Sequence, residues 1–197
     1  MAGGPTQTVE PSRVWQGIDL DCVRRWARAE WLGSNDSRSV LASGVSTDTR
    51  TLAPGQVFVA LRGESFDGHA HLAAAFDAGA SAAIVERSKS DRDVTGHTFP
   101  GTILVVDSPL LALGRLARHY RRRFAIPVVA VVGSAGKTTA KEMIAAVLGS
   151  RFSVLSTPNN ENNEIGVPRT ILGLTHEHGA AVIEMGARQV GDIAYLC

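Results

Sequence analysis

The sequence predicts an α/β fold, because short apolar runs typical of strands alternate with segments of helical periodicity along most of the 197 residues. A Val-rich run at 127–132 is typical of a parallel strand buried on both faces. Two α/β units are expected, at 14–107 and 108–197, after a polar leader at 1–13. The boundary is placed just before Pro109, since proline suits the first turn of a helix that follows it.

The periodicity assigns elements to both units. In the first unit it predicts helices at 19–30 and 71–78, and strands at 40–45, 57–61, 82–85 and 102–106. In the second unit it predicts helices at 110–124, 137–148, 165–174 and 191–196, and strands at 127–132, 152–155 and 180–185. The regular alternation in the second unit is typical of a mostly parallel sheet, whose strand carboxyl ends share the ligand-binding edge.

The composition is that of a globular domain and argues against several other classes. Hydrophobic residues make up 44% and charged residues 20% of the chain, which is ordinary for a folded protein. A net charge of +1 argues against a nucleic-acid binder. Cys22 and Cys197 are too few for a disulfide framework or a cysteine zinc site. No apolar run approaches the roughly 20 residues of a membrane span, and the leader lacks a signal-peptide core. We expect a cytoplasmic protein without nucleic-acid partners or membrane insertion.

The strongest local signal is the segment Val131–Thr139, where a strand runs into a glycine-containing turn and Lys-Thr-Thr opens a helix. This is the context of a phosphate-binding loop in the short form G-x-x-G-K-T, since Val131 stands where the longer form has its first glycine. Glycines allow backbone N–H groups to approach phosphate oxygens, and the helix N-terminus adds its positive end. The residues predicted to bind the nucleotide here are Gly133, Ser134, Ala135, Gly136, Lys137, Thr138 and Thr139.

Two side chains of this loop have specific predicted roles. Lys137 supplies a mobile cation for the β- and γ-phosphates, and the Thr138 hydroxyl is a ligand for Mg²⁺. The chain has only three lysines against 17 arginines, so a lysine at this position favours the functional interpretation. The alternative is an ordinary strand–turn–helix connection with a surface lysine.

Two further polar segments follow predicted strands. The first, 157–168, reads T-P-N-N-E-N-N-E-I-G-V-P, and we predict that Asn160 and Asn163 line the nucleotide and Asn162 the substrate. Asparagine also suits turns and helix caps, which is the alternative.

The second segment places Glu184 at the end of a Val/Ile strand, where its carboxylate is predicted to be a metal ligand and, with Lys137, catalytic. The alternative is a strand-end glutamate that faces solvent.

Together these segments resemble the Mur ligases of peptidoglycan synthesis. The resemblance rests on the loop followed by Lys141-Glu142, on 157–168, and on Glu-Met-Gly-Ala at 184–187 with Gly-Asp-Ile at 191–193. The features after the loop and at 184–187 are similar to the member that adds D-alanyl-D-alanine to UDP-N-acetylmuramoyl-tripeptide. One position differs, because the family often has glycine where this sequence has Asn159.

The resemblance extends into the first unit. Ser-Thr-Asp-Thr-Arg at 46–50, Pro-Gly at 54–55, and the segments 58–64 and 66–69 look like the family's N-terminal UDP-binding domain. It implies that the substrate is bound by Ser46, Asp48, Arg50, Arg62, Gly63 and His69. Without the resemblance, the same residues are interpreted as polar turn formers with a surface Asp48–Arg50 pair.

The resemblance implies a fold, a reaction and ligands. The fold is a small N-terminal α/β UDP-binding domain followed by the first part of a P-loop ATPase domain with a mostly parallel sheet. With ATP and Mg²⁺, the tripeptide carboxylate would become an acyl phosphate, which the amine of D-alanyl-D-alanine attacks. Such an enzyme would serve cell-wall biogenesis, cell shape and division, and be a monomer when complete. We expect this chain to be a truncated form, poorly stable and inactive alone.

Three alternatives remain open at this point. The chain could belong to another Mur-type ligase that adds a different amino acid, or be a non-catalytic module that binds a nucleotide or a UDP-sugar. A P-loop kinase or GTPase is the third alternative, and the large N-terminal unit and the Asn-rich segment disfavour it.

Overall fold

The computed structural model describes residues 15–32, 37–89, 99–187 and 190–196. The predicted leader at 1–13 and Cys197 lie outside these ranges. Within them, the mixed α/β fold with mostly parallel sheets is confirmed. No described helix combines the length and apolar character needed to cross a bilayer.

The first sheet has five strands in the order β1-β5-β4-β3-β2. Their bounds are β1 Glu30–Trp31, β2 Val45–Ser46, β3 Val57–Val59, β4 Ala82–Glu86 and β5 Thr102–Val106. Strands β2 to β5 pair in parallel, whereas β1 runs antiparallel to β5 at the sheet edge. The helices of this region are α1 Leu20–Ala27, α2 Leu72–Asp77 and the single turn α3 Arg87–Lys89, with 3₁₀ turns at Ser37–Ser39 and Gly68–His71.

Alternate residues of the central strands enter two different cores, because successive side chains of a strand point to opposite faces. On one face Val57, Ile84 and Leu104 join a core that includes residues of α1 and of helix α4, Pro109–Arg121. On the other face Phe58 and Ile103 pack in the core of α2. This sheet is therefore covered on both faces, as a parallel sheet requires.

The second sheet has three parallel strands in the order β6-β8-β7. The strands are β6 Val128–Val131, β7 Val154–Ser156 and β8 Ala180–Glu184, and the helices are α5 Lys137–Gly149, α6 Gly166–Leu172 and α7 Asp192–Leu196. Helix α5 packs on this sheet, and α6 packs against α4. Helix α4 also contacts α1 and β4, so it connects the two sheets.

The expectation that the Val-rich run at 127–132 is buried on both faces is wrong in this structure. In the described residues β6 is an edge strand with β8 as its neighbour, and only Val131 of the four strand residues is buried. Val132 is 51% exposed. The strand buried throughout is β8, at the centre of the sheet.

Two predicted strands are shifted by local backbone bonding, and β1 was not predicted. Residues 40–45 yield strand only from Val45, because the Val40 carbonyl and the Ala42 N–H bond to the segment around Leu20 and Ile18 instead. The strand predicted at 152–155 begins at Val154. The Phe152 N–H still donates to Leu148 in the last turn of α5. Strand β1 has two residues, too few for a periodic signal.

Candidate active site

The carboxyl ends of all three strands of the second sheet meet at one edge. Val131 of β6 lies opposite Glu184 of β8, and Ser156 of β7 lies opposite Val182. The segments that follow these strands therefore converge, as expected at the ligand-binding edge of a parallel sheet. They enclose a cleft of about 350 Å³, lined by Gly136, Lys137, Thr138, Thr139, Asn160, Asn162 and Glu184.

The phosphate-loop sequence has the predicted strand–turn–helix context. Gly136 adopts a left-handed conformation, with φ of 72°, immediately before the 13-residue helix α5. A side chain would be strained there, which explains the glycine. The Lys137 ammonium donates to the Gly133 carbonyl at 2.9 Å, so the lysine folds back over the loop. Ser134 and Ala135 are exposed at its tip.

Glu184 is buried and held by three contacts, so it is not a solvent-facing strand end. The residue is 1% exposed. Its carboxylate accepts from the Thr138 hydroxyl at 3.0 Å and from the Asn162 side-chain amide at 2.8 Å. Its backbone N–H donates to the Thr157 hydroxyl at 2.9 Å. The predicted metal ligands Thr138 and Glu184, far apart in sequence, are in direct contact.

The chemistry of these groups fits a nucleotide-bound Mg²⁺. Hydroxyl and carboxylate oxygens are hard ligands that Mg²⁺ prefers, and it is usually bound by one or two carboxylates together with substrate phosphates. Among the described residues, no three His, Cys, Asp or Glu side chains form a cluster able to hold a metal ion. The hydroxyl of Thr138 and the carboxylate of Glu184 are thus suited to a metal that a nucleotide brings with its phosphates.

The structure gives the asparagines of the 157–168 segment different positions. Asn160 lines the cleft, and Asn162 binds Glu184. The Asn163 side-chain oxygen accepts from the backbone N–H groups of Ile165 and Gly166 at 3.2 and 2.8 Å, so it caps the start of α6. Asn159 has φ of 47°, a left-handed conformation that asparagine tolerates and glycine adopts freely.

A second cleft, of about 440 Å³, lies between the two sheets. From the first unit it is lined by Ser46 and Asp48, and from the second by Pro158, Glu161 and Arg169. Pro158 and Glu161 belong to the same segment as Asn160 and Asn162 of the first cleft. One polar segment therefore borders both clefts.

Ser46, Asp48 and Arg50 form one hydrogen-bonded turn. The Ser46 hydroxyl donates to the Asp48 carbonyl at 3.0 Å and accepts from the Asp48 N–H at 3.2 Å. The Asp48 carboxylate accepts from the guanidinium and the backbone N–H of Arg50. These bonds hold the pKa of Asp48 at about 2. The Arg50 side chain remains 85% exposed while it is paired with Asp48. The surface Asp48–Arg50 pair, given as the alternative interpretation, is therefore present.

The other predicted substrate residues lie apart from this cleft. The backbone of Arg62 pairs with that of Asp67 in an isolated antiparallel β-bridge, and the Gly63 N–H donates to the Phe66 carbonyl in an exposed loop. His69 is buried: its Nδ1 lies 2.6 Å from the Asp67 carboxylate, and its Nε2 accepts from the Glu86 N–H at 2.9 Å. Both ring nitrogens are used inside the protein. The geometry therefore makes His69 a structural residue and does not support direct substrate contact.

Sequence reasoning did not identify Thr157 or the Glu161–Arg169 pair as site residues. Thr157 is 1% exposed and connects β7 to Glu184, and the ion pair spans 3.6 Å beside the second cleft. The position of Thr157 directly after a strand was the available signal. No signal in the sequence pairs Glu161 with Arg169.

Family models match two parts of the chain. The Mur ligase family catalytic domain matches residues 42–121, and the Mur ligase middle domain matches residues 131–197. The second match contains the phosphate loop, and the first contains the Ser46–Arg50 turn.

Relatives with one shared name match most of the chain. The UDP-N-acetylmuramoyl-tripeptide–D-alanyl-D-alanine ligase of Synechocystis sp. is 45% identical over 83% of this chain and 35% of its own length. The proteins of that name from Escherichia coli and Bacillus subtilis are 44% and 42% identical, over 83% and 78% of this chain and 34% and 32% of their own. The chain thus spans about a third of the length of these relatives.

Solved structures give the same assignment. A MurF structure from Acinetobacter baumannii superposes with a TM-score of 0.80 at 34% identity, covering 95% of this chain and 38% of that protein. The MurF ligase of Thermotoga maritima, solved in complex with ADP, gives a TM-score of 0.67 at 38% identity, covering 78% of this chain and 34% of that protein. By sequence and by structure, the chain belongs to the Mur ligase family.

Proposed function

We propose that this chain contributes the UDP-substrate site and the nucleotide site of an ATP-dependent ligase that joins D-alanyl-D-alanine to UDP-N-acetylmuramoyl-tripeptide. The observation that carries the proposal is the contact between Thr138, at the start of the phosphate-loop helix, and the buried carboxylate of Glu184. The shared name of the relatives supports the choice of substrates.

The loop residues bind and orient ATP in this proposal. Backbone N–H groups of 133–138 and the N-terminus of α5 face the phosphates. Lys137 releases the Gly133 carbonyl and donates to the β- and γ-phosphate oxygens instead. Thr139 and Asn160 complete the nucleotide side of the cleft, while Asn163 supports it by capping α6.

Thr138 and Glu184 would hold the Mg²⁺ that accompanies ATP. The ion supplies charge neutralisation on the transferred phosphoryl group. Asn162 keeps the Glu184 carboxylate oriented toward the cleft through its 2.8 Å hydrogen bond. In this proposal Asn162 supports the Glu184 carboxylate and does not contact the substrate as the sequence predicted.

The second cleft would receive the UDP-muramoyl substrate. Ser46 and Asp48 line it from the first unit. The exposed guanidinium of Arg50, which is hydrogen-bonded to Asp48, is suited to a diphosphate. Arg62 and Gly63 lie on an exposed loop of the same unit. Because the 157–168 segment borders both clefts, a substrate carboxylate could be brought next to the γ-phosphate.

The proposed reaction has two steps. A carboxylate oxygen of the tripeptide attacks the γ-phosphorus, the bond to the β,γ-bridging oxygen breaks, and ADP leaves from an acyl phosphate. The D-alanyl-D-alanine amine then attacks the acyl carbon, phosphate leaves with the C–O bond electrons, and the amine loses a proton. Positioning and charge neutralisation by the named residues are the protein's contribution. We place this chemistry in the cytoplasm, in a monomer.

The test is ADP release by the full-length protein. We expect release that requires UDP-N-acetylmuramoyl-tripeptide and D-alanyl-D-alanine together, and its loss in Lys137→Ala. Lys89→Ala is the matched control, because Lys89 lies in α3, away from both clefts. ADP release with another amino acid in place of D-alanyl-D-alanine would instead support the alternative, a Mur-type ligase that adds that amino acid. Full activity in Lys137→Ala would contradict the proposal.

A further inference from the structure

Lys141 is the only buried residue of α5, a helix whose residues are all described. It is 1% exposed, whereas Met143 and Val147 of the same helix are 65% and 73% exposed. Its ammonium donates to the Thr157 carbonyl at 2.8 Å and lies 2.9 Å from the carboxylate of Glu142. Because a buried ammonium is costly unless it is partnered, a lysine at this position calls for a specific reason.

The residue that Lys141 binds is attached to the metal-binding strand. Thr157 follows β7 and is itself 1% exposed. Its N–H donates to the Val182 carbonyl at 3.1 Å, and its hydroxyl accepts from the Glu184 N–H at 2.9 Å. Thr157 therefore fixes the backbone of Glu184 relative to β7.

These contacts close a ring. Thr138 and Lys141 lie three residues apart on α5, one turn of helix. Thr138 donates to the Glu184 carboxylate, Glu184 donates through its backbone to Thr157, and the Thr157 carbonyl accepts from Lys141. The distance between the Thr138 hydroxyl and the Glu184 carboxylate, the two groups assigned to Mg²⁺, is thus fixed by a chain of hydrogen bonds that includes Lys141.

We propose that Lys141 is a positioning residue for the metal site, acting through Thr157 to hold Glu184 at its distance from Thr138. The inference rests on the proposed function, in which Glu184 and Thr138 bind the Mg²⁺ of the nucleotide. Residues that orient metal ligands in this way change metal affinity by about 10- to 100-fold when they are replaced. A residue that only filled space in the fold would leave the metal affinity unchanged.

The experiment measures Mn²⁺ binding to the ADP complex of the full-length protein by electron paramagnetic resonance, with Mn²⁺ as the probe for Mg²⁺. Lys141→Met keeps the length of the side chain and removes the charge, and Thr157→Val removes the hydroxyl. We expect each to weaken Mn²⁺ binding by about tenfold. ADP affinity in the presence of EDTA should change by less than about threefold, because the phosphate contacts of the loop remain.

The controls separate positioning from a general structural effect. Thr157→Ser restores the hydroxyl and should bind Mn²⁺ as the wild type does. Lys89→Met removes a lysine far from the site and should do the same. The Lys141→Met/Thr157→Val double variant should bind Mn²⁺ about as weakly as the weaker single variant, because both changes break the same path.

The outcomes distinguish the inference from the proposed function. If the wild type binds no Mn²⁺ with ADP, the proposed function is wrong and the inference falls with it. If the wild type binds Mn²⁺ and Lys141→Met binds it equally well, only the inference is overturned. If Lys141→Met does not fold, the Thr157→Val and Thr157→Ser pair decides, and equal Mn²⁺ affinities in these two variants overturn it.

Discussion

The two sheets of this protein are stabilised in different ways. In the first, β3 is buried throughout, and helices cover both faces of the sheet. In the second, β6 and β7 are mostly half-buried, and α5 exposes Met143 and Val147. The first region is stabilised by apolar packing, which contributes a large free energy but does not fix the orientation of individual side chains.

The candidate site lies in the region with less apolar packing. There the geometry is set by directional contacts between polar groups: Thr138 and Asn162 to the Glu184 carboxylate, and Lys141 through Thr157 to its backbone. Hydrogen bonds fix distances and angles that apolar contacts leave free. The comparison teaches that stability and site geometry in this chain depend on different residues.

The largest expected effect compares one substitution in the two sheets. Leu104 in β5 is fully buried, and Leu155 in β7 is half-buried. We expect Leu104→Ala to lower the free energy of unfolding by about 3 kcal/mol and Leu155→Ala by about 1 kcal/mol, since the cost follows the apolar contacts that are lost. Urea denaturation followed by circular dichroism measures both values. Equal losses would contradict the contrast between the sheets.

A glycine tests the polar side of the comparison. A Cβ at Gly186 would lie 2.8 Å from the Asn162 side-chain oxygen, so Gly186→Ala should displace the amide that binds Glu184. The expected loss of stability is about 2 kcal/mol, because a buried carboxylate oxygen loses its partner. Gly149→Ala is the matched control, since a Cβ there meets nothing within 4 Å. If thermal melts show the same stability for both variants, Asn162 does not hold Glu184 rigidly.

Tyr120 tests the connection between the two regions. Its hydroxyl donates at 2.7 Å to the carbonyl of Leu174, a buried residue that follows α6, and burial raises the pKa of this hydroxyl. Tyr120→Phe keeps the ring stacked on Trp15 and should cost about 1 kcal/mol, the typical value of one hydrogen bond. Urea denaturation gives the loss. A loss above that of Leu104→Ala would mean that the polar connection outweighs the apolar core.

The smallest expected effect is a pH dependence in the first region. Burial acts to raise the pKa of Asp67, but hydrogen bonds from the His69 ring and backbone outweigh it and hold the pKa at about 2. A carboxyl whose pKa is lowered in the folded state stabilises the protein when the pH lies above the ordinary pKa of that carboxyl, which is 3.8. That contribution is lost as the pH falls from about 4 to 2.

Asp67→Asn should therefore flatten the fall in stability over this pH range while leaving the slope above pH 5 unchanged. Stability measured by urea denaturation at half-unit pH steps gives both slopes. An unchanged slope between pH 4 and 2 would show that the Asp67–His69 contact contributes nothing to acid sensitivity.

Much of the fold could be predicted from local pattern. Helix α1, strand β5 and the helix that follows the phosphate loop all carry periodic signals, and the structure confirms them, although α1 ends at Ala27, three residues before its predicted end. The assignment failed where backbone pairing between distant segments decides. Residues 40–42 look like a strand but bond to residues 18–20, at the start of α1. Strand β6 looks like a central strand but lies at an edge of the sheet formed by the described residues.

The candidate site was predictable in its parts but not in its connections. The sequence indicates Lys137, Thr138 and Glu184 by motif and by position at strand ends. It indicates helix capping by asparagine only as a general alternative, and it carries no signal that Asn162 donates to Glu184 or that both nitrogens of His69 are used inside the protein. Such contacts depend on how the chain packs, which brings together residues 22 positions apart in the Asn162–Glu184 contact and 17 apart in the His69–Glu86 contact.

The central claim is that Glu184 and Thr138 form a metal site for a nucleotide held by the phosphate loop. Calorimetric titration of ADP into the full-length protein, with Mg²⁺ and with EDTA, tests it most directly when Glu184→Gln is measured beside the wild type. We predict that Mg²⁺ tightens ADP binding by about tenfold or more in the wild type and by less than about twofold in Glu184→Gln. The same Mg²⁺ dependence in both proteins, or no ADP binding by the wild type, would contradict the claim.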